Sequence, residues 1–348
     1  MLDRLRDRLV TQPGFRAWAA RFPLTRPIAR RRTRALFDIC AGFVYAQTLA
    51  ACVELNVFER LAGGPVPLVT LAGDVPVPAF RALVNAAVGL RLLVLRGDAV
   101  RLGPLGAAVV GNAGLVAMVR HHKLLYADLA DPVALLRAGR GSLGDYWAYA
   151  GSAAPGALAD GPVAGYSALM AASQPLVSAE ILDAYPLHHH HHLLDVGGGT
   201  GAFVTAAVQR TPGLRGTVFD LPAVVARAQS QDRVTAVGGD VFHDPLPPGA
   251  DVISLVRVIH DHDDDQAMAI LRAVRAALEP GGTVVLAEPM ADTASVGAYF
   301  SLYLLAMGAG RPRSRAVLTA MLQAAGFGHT QLRPTATPLL VRVLTAKV

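Results

Sequence analysis

Residues 195–201 read Asp195-Val196-Gly197-Gly198-Gly199-Thr200-Gly201, after an apolar stretch that begins at Leu193 and before a helical pattern. A glycine run in that position constrains the fold more than any other feature of the chain. Glycines let the backbone turn tightly and approach a ligand where a Cβ would collide. The helix behind them offers unbonded N–H groups. From Leu193 onward the rhythm is one of strands alternating with helices. Leu193–Val196, Gly216–Asp220, Val234–Gly239, Asp251–Ile259 and Thr283–Glu288 read as strands, and Leu339–Leu344 as a last one. The clearest helix, Asp263–Leu278, opens with three aspartates at its positive end and is expected to stop at Glu279-Pro280-Gly281-Gly282. Such alternation predicts an α/β, Rossmann-like domain, a parallel sheet with helices on both faces.

A glycine loop alone does not choose a ligand, since dinucleotide-binding proteins use a similar one. Here the spacing is G-G-G-T-G rather than G-x-G-x-x-G, and Asp195 stands two residues before the first glycine, an arrangement that methyltransferases prefer. Asp220, followed by Leu221, ends the next strand, where a carboxylate can accept hydrogen bonds from both hydroxyls of a ribose. Asp240 ends the third, in Gly238-Gly239-Asp240-Val241-Phe242; it can accept from an adenine amino group while Phe242 packs on the ring. One aspartate at a strand end is as readily a helix cap, but three in register point to a nucleoside-bearing cofactor. The expected cofactor is S-adenosylmethionine, held by Asp195, Gly197, Gly199, Gly201, Asp220, Leu221, Asp240, Val241, Phe242 and Arg257.

Arg257-Val258-Ile259-His260-Asp261 lies at the end of the fourth strand and Glu288 ends the fifth. In an open α/β sheet, the carboxyl ends of neighbouring strands face the ligand crevice. His260 and Glu288 are therefore expected to share one pocket. Methyl transfer to oxygen requires removal of the hydroxyl proton; a histidine suits that role, with a carboxylate to fix its tautomer.

Before Leu193 the pattern is mostly helical. Helices followed by a hairpin, Leu92–Leu95 and Ala99–Leu102 turning at Gly97-Asp98, suggest a winged-helix-like module. The expected organisation is a basic arm over 1–34, a helical winged-helix-like dimerisation domain over 35–150, a connecting segment and helix over 151–192, and the cofactor domain over 193–348. Hydrophobic residues make up 53% of the chain and charged ones 17%, which excludes a disordered protein. The net charge of +6 is concentrated in the arm, where ten arginines meet two aspartates. With Phe15, Trp18 and Phe22 among them, that arm suits either an anionic membrane surface or a partner subunit. The apolar stretch Ala35–Val53 is broken by Asp38 and Gln47 and reads as a buried or dimer-forming helix rather than a bilayer span. Cys40 and Cys52, both within it, read as small core hydrophobes. No apolar region follows the first arginines as in a secretory signal, so the expected location is the cytoplasm, or the periphery of an inner or photosynthetic membrane. A DNA-binding regulator is the alternative class, but its recognition helix, Ala79–Leu90, carries one charge, Arg81, and no nucleic acid partner is expected. Adjacent side chains in His188–His192 cannot converge on one ion, so no metal is expected.

With these residues in hand, the chain resembles the small-molecule O-methyltransferases that include plant phenolic and bacterial polyketide enzymes. Ile259-His260-Asp261-His262 is similar to that family's Leu-His-Asp-Trp stretch, with His262 in place of tryptophan. The resemblance implies a homodimer, His260 as general base and Glu288 as the group that orients it. It implies lid positions at Tyr166 and Met170, and Tyr299 and Tyr303 on the apolar helix Val296–Met307 suit a hydrophobic substrate. Phenolic enzymes carry a further glutamate in a Gly-Lys-Glu-Arg stretch, whereas this chain reads Gly310-Arg311-Pro312-Arg313. Arg21-Phe22-Pro23-Leu24-Thr25-Arg26-Pro27 and Ala35-Leu36-Phe37-Asp38 resemble the carotenoid branch of the family, which implies methylation of a tertiary 1-hydroxyl on acyclic carotenoids of the demethylspheroidene and hydroxyneurosporene type. Carbon methylation of a bacteriochlorophyll precursor and O-methylation of a polyketide or phenolic are the alternatives within that architecture.

Overall fold

A computed structural model describes residues 2–146, 173–228, 231–337 and 341–348. The chain forms two compact units, Met1–Asn112 and Ala113–Val348. The expected divisions at 34, 150 and 192 follow composition, whereas packing groups the arm with the first unit. Packing also puts helix Ala113–Leu129 in the second unit, where its Leu125 joins Leu143, Tyr303, Leu304 and Met307 in one apolar cluster.

The first unit begins with two short helices, Leu2–Thr11 and Pro13–Arg21, and a long one, Arg26–Glu54. Helix Val77–Gly89 leads into strands β2 (Leu93–Arg96) and β3 (Ala99–Leu102), an antiparallel hairpin that turns at Gly97-Asp98 as predicted. A two-residue strand β1 (Val66–Pro67), not anticipated, adds to β3 and makes a three-stranded sheet. Arg81 on Val77–Gly89 pairs with Asp98 in the hairpin turn at 3.0 Å. The long helix, expected to be buried or dimer-forming, is mostly exposed within this chain. Of its residues only Thr48, Cys52 and Val53 are buried, and Leu36, Phe37, Ile39 and Phe43 are 64–77% exposed. Cys40 is exposed as well, so only Cys52 is a core residue. The helix is long and apolar enough to cross a membrane by length and composition.

The second unit holds a seven-stranded sheet in the order β6-β5-β4-β7-β8-β10-β9. Its strands are β4 (His192–Val196), β5 (Arg215–Asp220), β6 (Val234–Gly238), β7 (Ala250–Val256), β8 (Leu278–Glu288), β9 (Gly328–Arg333) and β10 (Arg342–Lys347). Strands β4 to β8 pair in parallel, as predicted. The sheet is nevertheless mixed, because β10 runs antiparallel between β8 and the unpredicted β9. Two separate buried clusters cover it. One contains Ile253, Leu255, Ile270, Leu271 and Leu322; the other contains Ile181, Leu193, Phe203, Val204 and Val218. Successive residues of β4 therefore face opposite cores, which is why that strand reads as a continuous apolar run.

Several boundaries differ from expectation; β10, for one, runs Arg342–Lys347 rather than Leu339–Leu344. Helix Asp264–Ala277 passes directly into β8, which takes in Glu279-Pro280-Gly281-Gly282. Strand β7 ends at Val256 rather than Ile259, because Arg257 adopts a left-handed backbone (φ 57°) and sends the chain into a single 3-10 turn, Ile259–Asp261. That kink carries the site.

Candidate active site

The glycine loop forms as expected. Gly197, Gly199 and Gly201 all have positive φ, between 62° and 83°. Gly198 is needed for a different reason: a Cβ there would lie 2.5 Å from Asp195 Oδ2 and 2.7 Å from Val218. Asp195 is buried; its Oδ1 accepts from Ser254 Oγ at 2.5 Å, while Oδ2 has no hydrogen-bond partner among the described residues. Burial, reinforced by the charge of Asp220 and opposed by the Ser254 hydrogen bond, pushes its carboxyl up to about 7. An unpartnered carboxylate oxygen beneath a glycine loop is a fitting receptor for a cationic or N–H donor group. Asp220 accepts from Gly199 N–H and Leu221 N–H, both at 2.7 Å, so it braces the loop while keeping lone pairs for a hydroxyl. Asp240 accepts from Phe242 N–H at 2.9 Å, and half-buried Val241 and Phe242 pack on the core beside it. The Phe242 ring meets His262 edge-on at 5.4 Å. Among the described residues the Arg257 guanidinium donates to Ser173 Oγ and Gln174 Oε1, in the helical residues 173–184.

His260 and Glu288 meet as predicted. The Nδ1 of His260 donates to Glu288 Oε2 at 2.5 Å, and Glu288 Oε1 accepts from the backbone of Val258 and Ile259. Glu288 thus fixes both the imidazole and the amides of its turn. A second carboxylate, which the sequence reading assigned no part, lies on the other side: Asp261 Oδ1 is 3.0 Å from Nε2 but lacks the alignment of a hydrogen bond. All three side chains are buried. Burial alone would lower the imidazole, but the charges of Asp261 and Glu288 and their hydrogen-bonding capacity outweigh it and lift the value to about 10.

Helix Ala294–Met307 forms the apolar wall. Phe300 meets the His260 ring edge-on at 5.7 Å, and Tyr299 and Tyr303 stack on one another. Their hydroxyls bond to His122 and His121 of helix Ala113–Leu129, at 2.8 and 2.9 Å. Those histidines also went unassigned in the sequence reading. Burial, helped by the charge of His122, lowers His121 to about 4, so near neutrality it is uncharged. Tyr166 and Met170 lie outside the described residues. Of the histidine run, His190 contacts Tyr185 and Asp251, and His192 contacts Gly249 and Thr217, which makes both structural. No cluster of three metal-binding side chains occurs among the described residues.

Known proteins share this architecture. A sequence profile of the O-methyltransferase domain matches residues 126–328. The demethylspheroidene O-methyltransferase of Rhodobacter capsulatus is 41% identical over 94% of this chain and 85% of its own length. That of Cereibacter sphaeroides is 40% identical over 99% and 95%. Among solved structures, human N-acetylserotonin methyltransferase in complex with SAM superposes with a TM-score of 0.75 at 26% identity, covering 91% of this chain and 97% of that one. A paired histidine and glutamate at adjacent strand ends beside a glycine loop, together with these matches, give the family: the chain belongs to the O-methyltransferases.

Proposed function

We propose that this enzyme transfers a methyl group from S-adenosylmethionine to the tertiary 1-hydroxyl of an acyclic carotenoid, with His260 as general base. The relatives at 40–41% identity over most of the chain support the substrate, and SAM in the human neighbour supports the cofactor. For the chemistry, the carrying observation is the His260–Glu288 pair. When bound, the cofactor supplies an electrophilic methyl group. Asp195 Oδ2 would take its ammonium, Asp220 its ribose and Asp240 its adenine. The substrate hydroxyl loses its proton to Nε2 of His260 while Glu288 holds Nδ1–H and therefore the ring plane. A tertiary alcohol is a very weak acid, so proton removal and attack occur together rather than through a free alkoxide. Phe300, Tyr299 and Tyr303 supply an apolar wall suited to a polyene chain.

Two further parts of the reading concern assembly. The exposed apolar face of Arg26–Glu54 is suited to a second copy of the chain, giving a homodimer. The arm shows Trp18, Phe22 and Leu24 to solvent among arginines, which suits peripheral attachment to an anionic bilayer from the cytoplasmic side, where a greasy substrate is stored.

The test is transfer of labelled methyl from S-adenosylmethionine to an extracted 1-hydroxy carotenoid. Wild type should form product, and His260→Ala should lose about 10²–10⁴ in rate with cofactor affinity intact. Cofactor binding without carotenoid methylation would overturn the substrate and direct the assay to chlorin and phenolic acceptors.

A further inference from the structure

The turn that carries His260 is only three residues long, and within it His262 N–H reaches Ile259 O at 3.4 Å, a long bond that leaves that carbonyl room for a further donor. Glu288 binds the amide side of the turn, through Val258 and Ile259. The carbonyl side is held by a segment 50 residues later. Arg313 Nη1 donates to Ile259 O at 2.6 Å and Nη2 to His262 O at 2.8 Å. The backbone N–H of Arg311 donates to His260 O at 2.9 Å. Gly310 makes that approach feasible: at φ 77°, a Cβ there would stand 2.0 Å from His260 O. The Arg313 guanidinium is buried, and Asp264, the first residue of the helix after the turn, receives it at 2.8 Å along with Arg311. The two arginines, by hydrogen bonding and charge, hold the Asp264 carboxyl at about 2, so the grip persists across the working pH range.

We infer that Arg313 is a positioning residue for methyl transfer: its guanidinium, oriented by Asp264, clamps the carbonyls of the turn and so fixes His260 against Glu288 and the acceptor hydroxyl. It occupies the segment where phenolic relatives place a further glutamate and this chain has Pro312. A guanidinium fits because it presents several donors in one rigid plane; a lysine would present one point charge. This inference rests on His260 being the base.

The experiment compares Arg313→Ala, Arg313→Lys and Asp264→Asn with wild type and His260→Ala, measuring kcat, KM and calorimetric cofactor affinity, with and without added guanidinium ion. A misplaced base costs rate rather than binding, so Arg313→Ala should lose about 10²-fold in kcat with cofactor affinity within about twofold. Arg313→Lys should recover little, and guanidinium ion should restore part of the loss in Arg313→Ala alone. Wild-type kcat in Arg313→Ala, or a loss that tracks cofactor affinity and resists guanidinium, overturns the inference. Should Arg313→Ala not fold, Asp264→Asn decides, because that half-exposed carboxylate can be neutralised without emptying the core. A several-fold fall in kcat at unchanged cofactor affinity supports the clamp, and wild-type kcat overturns it. If His260→Ala keeps its rate, the base assignment itself has failed.

Discussion

The proposed base must be neutral to accept a proton, and His260 sits between two carboxylates that favour its charged form. With its value raised to about 10, the neutral fraction, and with it the rate, should climb with pH through the neutral range instead of levelling off above 6.5. Glu288→Gln removes one of the charges that hold the proton. Its pH–rate profile should therefore show the rising limb at lower pH with a reduced plateau; an unmoved limb would show that Glu288 does not set this proton's affinity. The same raised value has a consequence for folding. His260 contributes stability in full below pH 6.5, and that contribution is lost as pH rises through its folded value. His260 and Glu288 were legible together because one follows and the other ends neighbouring parallel strands. Asp261 was on the page but its part was not, since whether a side chain turns back onto its own neighbour depends on the local backbone. Arg313 was illegible for a plainer reason: its partners are main-chain oxygens and an exposed aspartate far off in sequence, and no residue pattern announces a carbonyl in need of a donor.

At the scale of elements, the glycine loop works by absence of bulk. Gly198→Ala places a methyl against Asp195 Oδ2 and Val218, and overpacking of this kind typically costs about 1–3 kcal/mol. Cofactor affinity and melting temperature should both fall, as calorimetry and thermal melts would record; unchanged affinity would mean that Asp195 does not face the cofactor. Strands β4 to β8 were readable because each carries an apolar or β-branched run, and β5 and β8 end it in a carboxylate. Strand β9 was not, because its exposed edge position leaves Gly328-His329-Thr330-Gln331 without an apolar signature. The end of β7 was misplaced because Val258 and Ile259 continue the apolar run, and only the left-handed Arg257 shows that the chain has turned. For the long helix Arg26–Glu54 the sequence left burial and dimer formation both open, because composition reports that a face is apolar but not whether the same chain covers it.

At the scale of the molecule, the exposed residues of the first unit make separable claims. If a second copy covers Arg26–Glu54, Phe43→Glu should lower the mass in solution from dimer to monomer by light scattering, without lowering cofactor affinity. If the arm meets anionic lipid, the wild-type protein should sediment with anionic vesicles and not with neutral ones. That binding should weaken with salt, since attraction of this kind is screened within about 8 Å at physiological ionic strength. Replacing Arg30, Arg31 and Arg32 with glutamine should reduce vesicle binding and leave the mass unchanged; a change in both would show that the two surfaces are one.

The sheet also imposes an order on folding. Strand β10 lies between β8 and β9, yet it is made after both, and its Val343, Leu344 and Ala346 have no exposed surface. Until it inserts, β8 lacks its neighbour along the strand that ends in Glu288, from Lys347 opposite Thr283 to Arg342 opposite Glu288 itself. The backbone that carries Glu288 therefore gains its second neighbour only when β10, later in the chain than β9, has inserted between them.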